Sequence, residues 1–293
     1  MSAEPTLGAR PIVIIGAGRS GTNMLRDVLT RFAGVVTWPC DEINYIWRHG
    51  NRAHPDDEFV PTMATPGVRR FVRGRFAAMA SAAPVVDRGT PSEASRFLVE
   101  KTCANSLRVS FVDAIVPEAL YLYLVRDGRD VTLSFKGYRF GGLNALEVAD
   151  RWSRATVAAD RIGHALGPDR YLRIRYEDLI ALSEPTLDRL CDFVGESYDP
   201  GMLDYAGDVS RKVPDATRDL WPVLDRPPQT DKIGRWEREM KASERYVIEE
   251  AAGEALDRFG YARGGSGFSA GGELRGAWCY LTRGARLKRL TGR

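Results

Sequence analysis

The pattern of hydrophobic residues predicts strands at three places in the chain, two of them short, unbroken apolar runs. Residues 11–15 and 121–125 are continuous apolar runs, and residues 171–176 form a third strand-like segment. Continuous apolar runs are typical of strands that are buried on both faces of a parallel sheet. The first run meets a glycine-rich turn and then a helical pattern over residues 22–32. This order of strand, glycine loop and helix opens a nucleotide-binding βα unit.

Helical periodicity fills the intervals between these strands. It predicts helices over residues 146–166, 179–194 and 244–259, the last with Ser243 as its N-cap and Gly260 as its stop. Residues 47–68 and 209–228 are rich in proline and polar residues and predict long ordered loops. We therefore expect an α/β fold, a three-layer sandwich with a central, mainly parallel sheet flanked by helices.

Composition divides the chain into a main domain and a tail. Residues 1–263 have ordinary globular composition, whereas residues 264–293 begin with a Gly/Ser-rich linker and continue as a basic tail. Such a basic tail is more often a solvated terminus or a dimer contact, and contact with an anionic membrane surface is the alternative. The sequence offers no signal peptide and no apolar run of membrane-spanning length, so we expect a cytoplasmic protein, with the tail as a peripheral contact to the inner membrane face.

Charge and cysteine content exclude several classes of function. The 42 basic residues stand against 39 acidic ones, a balance that argues against nucleic-acid binding. The three histidines show no metal-ligand spacing with the cysteines, so we expect neither a metal site nor a disulfide framework. We expect reduced thiols at the four cysteines, Cys40, Cys103, Cys191 and Cys279.

The glycine loop after the first strand is the first candidate binding site. Gly16 and Gly21 have the spacing of a Walker A loop, but Thr22 and Asn23 follow where that motif requires Lys and Ser/Thr. Free backbone N–H groups at a helix start bind anions, and glycines let the backbone close around them. Arg19 supplies a cation inside the loop. Taken alone, the loop fits a tight strand-to-helix turn equally well.

The string over residues 11–23 resembles the 5′-phosphosulfate loop of sulfotransferases that use 3′-phosphoadenosine-5′-phosphosulfate (PAPS). That family typically has a strand, then Pro-Lys/Arg-Ser-Gly-Thr-Thr/Ser, then a helix. Gly18 stands where the family often has proline, and Asn23 stands where it often has a hydroxyl residue. The resemblance implies that the donor binds at six loop residues: Gly18, Arg19, Ser20, Gly21, Thr22 and Asn23.

A second segment resembles the 3′-phosphate signature of the same family. Arg126 follows a strand and Ser134 comes eight residues later, which is the spacing at which the family holds the 3′-phosphate. A guanidinium and a hydroxyl suit such a phosphate. Taken alone, the intervening Arg-Asp-Gly-Arg-Asp sequence is nearly self-neutralising and favours a surface salt-bridge cluster.

Two further segments complete the resemblance. Tyr176 lies in a Tyr-Glu-Asp-Leu sequence like the family's strand end near the nucleotide. Lys232, Ile233 and Gly234 lie in a sequence like its late Lys-x-Gly-x-Trp loop, which closes over the nucleotide. The four segments keep the family's order over residues 11–260. The likeness is closest to the bacterial and tyrosylprotein-type branch, and it implies a P-loop NTPase-like fold, PAPS as co-substrate and 3′,5′-adenosine bisphosphate (PAP) as product.

The resemblance also implies three catalytic residues. Arg19 and Lys101 are the expected cations at the leaving oxygen, and Lys101 lies in a Glu-Lys-Thr-Pro-like segment in which Cys103 replaces the proline. Glu42 is the expected base for the acceptor hydroxyl. The residues leave other interpretations open: Lys101 as a solvated lysine beside Glu100, and Glu42 as a helix-capping carboxylate. The alternative bases are Asp41, His49 and His54.

We therefore expect a sulfotransferase that moves a sulfonate group from PAPS to an acceptor hydroxyl. Residues 44–51 mix aromatic and polar side chains, which favours a carbohydrate or glycolipid acceptor. The alternatives are another P-loop transferase, such as a small-molecule kinase, and a non-catalytic nucleotide-binding protein of the same fold. A kinase would require the Walker lysine, which the loop lacks.

Overall fold

The computed structural model describes residues 4–32, 34–82, 96–136, 144–203 and 230–264. The chain divides into two compact units. The first comprises residues 1–125 with 158–229, and the second comprises residues 126–157 with 230–293. The predicted loop over 209–228, all of the tail beyond Gly264 and Cys279 lie outside the described residues.

A five-stranded, all-parallel sheet forms the centre of the first unit, and helices flank it. The strand order is β2-β3-β1-β4-β5. In register, Ile14 pairs with Lys101 on one side and with Leu122 on the other. The predicted α/β architecture is confirmed. The strands are β1 (Arg10–Ile15), β2 (Val35–Thr37), β3 (Phe97–Lys101), β4 (Leu120–Val125) and β5 (Tyr171–Arg175).

Burial of the strands follows their place in the sheet. In the central strand β1, residues 12–15 are completely buried, as expected for an apolar strand covered on both faces. The edge strand β5 alternates instead, with Ile174 buried and Arg173 exposed. Because the strands are parallel, β1, β3 and β4 all end at one edge of the sheet. Side chains and loops that follow Ile15 and Lys101 are therefore brought together at that edge.

Ten α-helices are present in the described residues. The first unit holds α1 (Thr22–Leu29), α2 (Asn44–Trp47), α3 (Pro66–Ala82), α4 (Val109–Ile115), α7 (Tyr176–Ala181) and α8 (Ser183–Val194). The second holds α5 (Gly128–Lys136), α9 (Arg235–Glu239) and α10 (Ala242–Arg258), and α6 (Ala145–Leu166) runs through residues of both units. No helix among the described residues has the length and apolar character required to cross a bilayer.

Several predicted boundaries are wrong for identifiable reasons. The helix predicted over 179–194 is broken at Leu182, because the hydroxyl of Ser183 donates to the carbonyls of Leu179 and Ile180 and closes α7 there. The strand predicted to reach Tyr176 ends one residue earlier, where α7 begins. The helix predicted to reach residue 32 ends at Leu29, because Thr30 Oγ1 donates to the carbonyl of Asp27.

The last helix begins earlier than predicted, and several other elements were not predicted. Helix α10 starts at Ala242 after an extended Lys241, so Ser243 lies inside the first turn and is not the N-cap. The predicted loop over 47–68 contains a 3-10 helix, Pro61–Met63, and the start of α3. The elements β2, β3, α3 and α4 were not expected. Strand β3 was missed because its apolar run is short and ends in Glu100 and Lys101.

Candidate functional site

The glycine loop between β1 and α1 is a tight turn that contains two residues with positive φ. Arg19 has φ 70° and Gly21 has φ 92°, and Ser20 N–H donates to the carbonyl of Ala17 at 3.1 Å. Residues in the left-handed region alternate here with residues outside it, a pattern that turns successive N–H groups toward one concavity. The loop therefore has the backbone geometry of an anion-binding turn.

Two glycines in this loop are required by their surroundings. A Cβ on Gly16 would lie 2.5 Å from the carbonyl oxygen of Leu124, and a Cβ on Gly21 would lie 2.7 Å from the ring of Tyr176. Tyr176 therefore packs directly against the predicted donor loop. The resemblance implies a place for this tyrosine near the nucleotide, which stays a prediction.

The start of α1 is open to an anionic ligand. No side chain caps it and no acidic residue lies in its first turn, so its first N–H groups and dipole are available to negative charge. Ser20 Oγ is fully buried and has no hydrogen-bond partner in the described part of the chain. Gly18 and Arg19 are half-buried, and Thr22 and Asn23 are buried. An anhydride-linked phosphosulfate fits this donor set.

A carboxylate–lysine cluster lies at the end of β3. Lys101 Nζ donates to Asp41 Oδ1 at 2.8 Å and to Glu42 Oε1 at 3.1 Å. Glu42 Oε1 also accepts the backbone N–H of Cys103 at 3.2 Å. Lys101 is only 4% exposed, so its interpretation as a solvated lysine is wrong. The predicted base and one predicted cation are therefore in direct contact.

The pKa values of Lys101 and Asp41 are both shifted in the direction that favours their charged forms. Burial alone would lower the pKa of Lys101, but the neighbouring carboxylates of Glu42 and Asp41 outweigh it, and the pKa is raised. Burial would likewise raise the pKa of Asp41, but the charge of Lys101 lowers it. Lys101 is thus a cation held in one place, and Asp41 is its counter-ion.

Side chains from α1 join the glycine loop to this cluster. Thr22 Oγ1 lies 3.6 Å from Cys103 Sγ, and Arg26 Nη1 donates to the carbonyl of Asp41 at 3.3 Å. The start of α1, the end of β3 and the Asp41–Glu42 segment therefore form one continuous site. Its components are separated by up to 81 residues in sequence.

The second unit contains the other predicted donor-binding segments. Arg126, Asp127, Arg129 and Asp130 are all buried, with 2–7% exposure, so the surface salt-bridge interpretation of this sequence is wrong. Burial is achieved by internal pairing, because Arg129 Nη2 contacts Asp127 Oδ2 at 2.7 Å and Arg129 Nη1 contacts Glu249 Oε1 at 2.7 Å. Gly128 is required here, since a Cβ would lie 2.6 Å from the ring of Trp152.

The loop around Lys232 is bound to the start of α5. Asp130 accepts the backbone N–H groups of Gly234 and Trp236, both at 2.9 Å, and Arg126 Nη2 donates to the carbonyl of Lys232 at 2.7 Å. The guanidinium of Arg129 lies 3.6 Å from the centroid of the Trp236 ring. Two segments that the resemblance assigns to the nucleotide, 104–106 residues apart, therefore meet within this unit.

The remaining predicted residues of the second unit lie nearby in this framework. Lys232 Nζ pairs with Asp231 Oδ2 at 3.0 Å, and Ile233 and Gly234 are half-buried. Gly234 has φ 63° and is the N-cap of α9. Ser134 is half-buried on α5.

A family model described as the sulfotransferase family matches residues 11–200. The chain belongs to the sulfotransferase family. The matched region includes the glycine loop, Glu42, Lys101, Arg126 and Tyr176. The resemblance inferred from the four sequence segments is thereby confirmed at the level of the family. No curated protein matches the sequence.

Solved sulfotransferase structures share the fold. The sulfotransferase domain from the Synechococcus PCC 7002 olefin synthase has a TM-score of 0.61 and 21% identity, with 89% of this chain and 99% of that chain covered. The sulfotransferase domain from the curacin biosynthetic pathway gives a TM-score of 0.60 at 18% identity, covering 87% and 99%. Mouse sulfotransferase SULT7A1 complexed with PAP gives 0.52 at 14%, covering 88% and 90%.

The two histidines considered as alternative bases in this sulfotransferase are engaged elsewhere. The ring of His49 stacks on Phe71 with centroids 3.6 Å apart. His54 Nδ1 lies 3.2 Å from Asp56 Oδ1. None of the described contacts joins either ring to Glu42 or Lys101. Glu42 is also not a helix cap, because Ile43 is the N-cap of α2 and no side chain caps that helix.

Sequence reasoning missed a buried polar network behind the carboxylate–lysine cluster. Glu100 Oε2 accepts Asn105 Nδ2 at 2.8 Å, and Arg108 donates to Asn105 Oδ1 at 2.9 Å and to Asp57 Oδ1 at 3.1 Å. Burial raises the pKa of Glu100 to about 7 and lowers that of Arg108 to about 10. Isolated charged residues in a sequence give no signal for such a network. Among the described residues, no cluster of three or more His, Cys, Asp or Glu side chains could hold a metal ion.

Proposed function

We propose that this chain transfers a sulfonate group from PAPS to a hydroxyl of an acceptor and releases PAP. The observation that carries the proposal is the arrangement in the first unit, where an uncapped helix start preceded by Arg19 adjoins the Lys101–Glu42 pair. The presence of PAP in the SULT7A1 structure supports the same nucleotide here.

Each part of the donor has a matching set of residues. The 5′-phosphosulfate, which supplies the sulfonate when bound, suits the N–H groups and the buried hydroxyl of the glycine loop. The 3′-phosphate suits the guanidinium of Arg126 and the hydroxyl of Ser134. The proposed donor-binding residues are Gly18, Arg19, Ser20, Gly21, Thr22, Asn23, Arg126, Ser134, Tyr176, Lys232, Ile233 and Gly234.

Arg19 and Lys101 are the proposed cations of the reaction. Sulfonate transfer resembles phosphoryl transfer in that negative charge develops on the bridging oxygen of the leaving phosphate. A cation held in a dry site stabilises such charge strongly. Lys101 is 4% exposed and fixed by two carboxylates, so it is preorganised for this role.

Glu42 is the proposed base. Its Oε1 is anchored by Lys101 and Cys103, while the side chain keeps 32% exposure. Oε2 can then accept the proton of an acceptor hydroxyl as the new O–S bond forms and the S–O bond to PAP breaks. Asp41 is less suited, because both Lys101 and Arg26 hold it and only 24% of its side chain is exposed.

The acceptor we propose is a carbohydrate or glycolipid. Within the aromatic segment after Glu42, Trp47 is buried, and Asn44 and Arg48 are bound to Asp57. Tyr45 remains 56% exposed. An exposed ring three residues from the base can stack on the apolar face of a sugar. The arginine in the glycine loop supports placement in the bacterial and tyrosylprotein-type branch.

Binding of PAP tests the donor assignment. We expect micromolar or tighter binding of PAP by calorimetry and a raised melting temperature, while ATP with magnesium gives neither.

Arg19→Ala is expected to abolish transfer without unfolding the protein, and Arg52→Ala, at an exposed arginine, serves as the control. A response to ATP with magnesium alone would favour the kinase alternative. PAP binding without turnover on any acceptor would favour a non-catalytic protein.

Turnover with labelled PAPS tests the base and the acceptor. Glu42→Gln is expected to lower kcat about 100-fold or more while PAP binding is retained. Wild-type turnover in that variant would shift the role to Asp41, to a histidine or to no base. Sugars, glycolipids, phenols and tyrosine peptides are offered in parallel, and label transfer to phenols or peptides alone would refute the proposed acceptor class.

A further inference from the structure

The carboxylate of Glu42 is held by a backbone group as well as by Lys101. Cys103 N–H and Lys101 Nζ both donate to the same oxygen, Oε1, at 3.2 and 3.1 Å. We propose that the backbone N–H of Cys103 positions Glu42 for proton transfer, a role that a residue without a backbone N–H, such as proline, cannot fill. This inference rests on the proposed function, in which Glu42 is the base.

The local backbone explains why this N–H is available. Cys103 is the first residue of a 3-10 helix, Cys103–Leu107, and Thr102 before it is extended, with φ −133° and ψ 112°. N–H groups in the first turn of a helix have no partner inside that helix. The N–H of Cys103 therefore points outward and can be donated to a side chain of another segment.

The bond is one of four that join the two segments. Lys101 Nζ binds Asp41 Oδ1 and Glu42 Oε1, Cys103 N–H binds Glu42 Oε1, and Thr102 Oγ1 accepts the N–H of Ile43 at 3.2 Å. Each of residues 101–103 thus bonds to the segment 41–43. Together these bonds fix the direction of the Glu42 side chain and leave Oε2 to face an acceptor.

The thiol of Cys103 is not the group on which the inference depends. Burial raises the pKa of this thiol to about 12, so it stays protonated and unreactive at neutral pH. It lies 3.6 Å from Thr22 Oγ1 and also contacts the carboxylate of Glu42. Replacement by alanine removes both side-chain contacts and keeps the N–H, whereas replacement by proline removes the N–H as well.

Proline suits the helix start and the backbone before this position. It is tolerated at the first residue of a helix, and it requires an extended residue before it, which Thr102 already is. Its Cδ would replace the amide hydrogen that points at Glu42 Oε1. We expect Cys103→Pro to lower kcat about 10- to 100-fold while PAP affinity stays within about twofold, because the hydrogen bond to the base is lost and the proline ring displaces the carboxylate. Cys103→Ala is expected to lose no more than about threefold.

A double-variant comparison separates positioning from a general disturbance. In a Glu42→Gln background, Cys103→Pro is expected to lower kcat by less than about twofold, because the base on which the N–H acts is already gone. Wild-type turnover in Cys103→Pro, or an equal loss in both backgrounds, would overturn the inference. Absence of turnover in the unaltered protein would instead count against the proposed function.

The hydrogen bond can also be observed without any proline variant. Selective ¹⁵N labelling of cysteine gives four amide signals, one for each cysteine, and Cys103→Ala identifies the signal of residue 103. In Glu42→Ala that signal is expected to move and its hydrogen exchange to accelerate. An unchanged Cys103 amide would refute the bond itself, whether or not the enzyme turns over.

Discussion

A buried glutamate in strand β3 is expected to make the protein more stable in mild acid than in base. Glu100 is 1% exposed, and its Oε2 accepts a hydrogen bond from Asn105. Burial raises its pKa from an ordinary value of 4.5 to about 7, although interactions with the side chains of Thr102 and Trp47 and the nearby guanidinium of Arg108 oppose the change. At pH values between 4.5 and about 7 this carboxyl therefore mostly holds its proton in the folded protein and mostly loses it in the unfolded chain.

The sign and size of the effect follow from that difference. Below pH 4.5 both states are protonated, so the contribution to stability is fully present. As pH rises through about 7, the unfolded chain binds fewer protons than the folded protein, and the free energy of unfolding falls. The full separation of the two pKa values corresponds to about 3 kcal/mol.

Glu100→Gln tests this reasoning, because the amide is nearly isosteric and can still accept the bond from Asn105. We expect the variant to match wild type at about pH 5 and to exceed it by about 2 to 3 kcal/mol at about pH 8.5. Urea unfolding at both pH values measures the difference, and Glu254→Gln, at an exposed glutamate on α10, is the control. A Glu100→Gln variant that gains no stability relative to wild type between these pH values would refute the argument.

Two further substitutions test the framework of the site. Gly21→Ala combines φ 92° with a Cβ 2.7 Å from the Tyr176 ring, so it should lower the free energy of unfolding, measured by chemical denaturation, by about 2 to 4 kcal/mol. The control Gly167→Ala has φ 84° but open space around the Cβ, and it should cost about 1 kcal/mol. Equal losses in the two variants would exclude the steric contact with Tyr176. Asp130→Asn keeps only one acceptor oxygen for the two backbone N–H groups of the Lys232 loop. This variant should lower the free energy of unfolding by about 1.5 to 3 kcal/mol, whereas Asp150→Asn, at an exposed residue, should change it by no more than about 0.5 kcal/mol. Similar losses in both variants would contradict the role of Asp130 in holding the Lys232 loop.

The glycine loop was predictable because its chemistry is local in sequence. Gly16, Arg19 and Gly21 lie within six residues, and the strand before them and the helix after them carry clear hydrophobic patterns. The missing Walker lysine and the presence of Arg19 could be seen without a structure. The order of the later segments then identified the family.

The charged residues of the site could be named as candidates from the sequence, but their partners and positions in space could not be predicted. Lys101 and Asp41 are 60 residues apart, and Asp130 and Trp236 are 106 apart, so no local pattern distinguishes them from surface residues. From hydropathy alone, Glu100 and Lys101 are predicted to form the exposed end of a strand. The burial of Lys101 depends on Asp41 and Glu42, which follow β2, and the parallel pairing of β2 with β3 brings that segment near.

These buried charges also bear on whether the site is functional. Removing a charge from water costs several kcal/mol, and a buried ion pair seldom stabilises a fold more than apolar residues of the same size. Lys101 with two carboxylates, and Arg129 with Asp127 and Glu249, are therefore poor choices for stability alone. The Lys101 cluster adjoins the open start of α1, where an anionic donor would gain from a preorganised cation. Chemistry on an anion accounts for this arrangement, whereas the stability of the sheet does not require it.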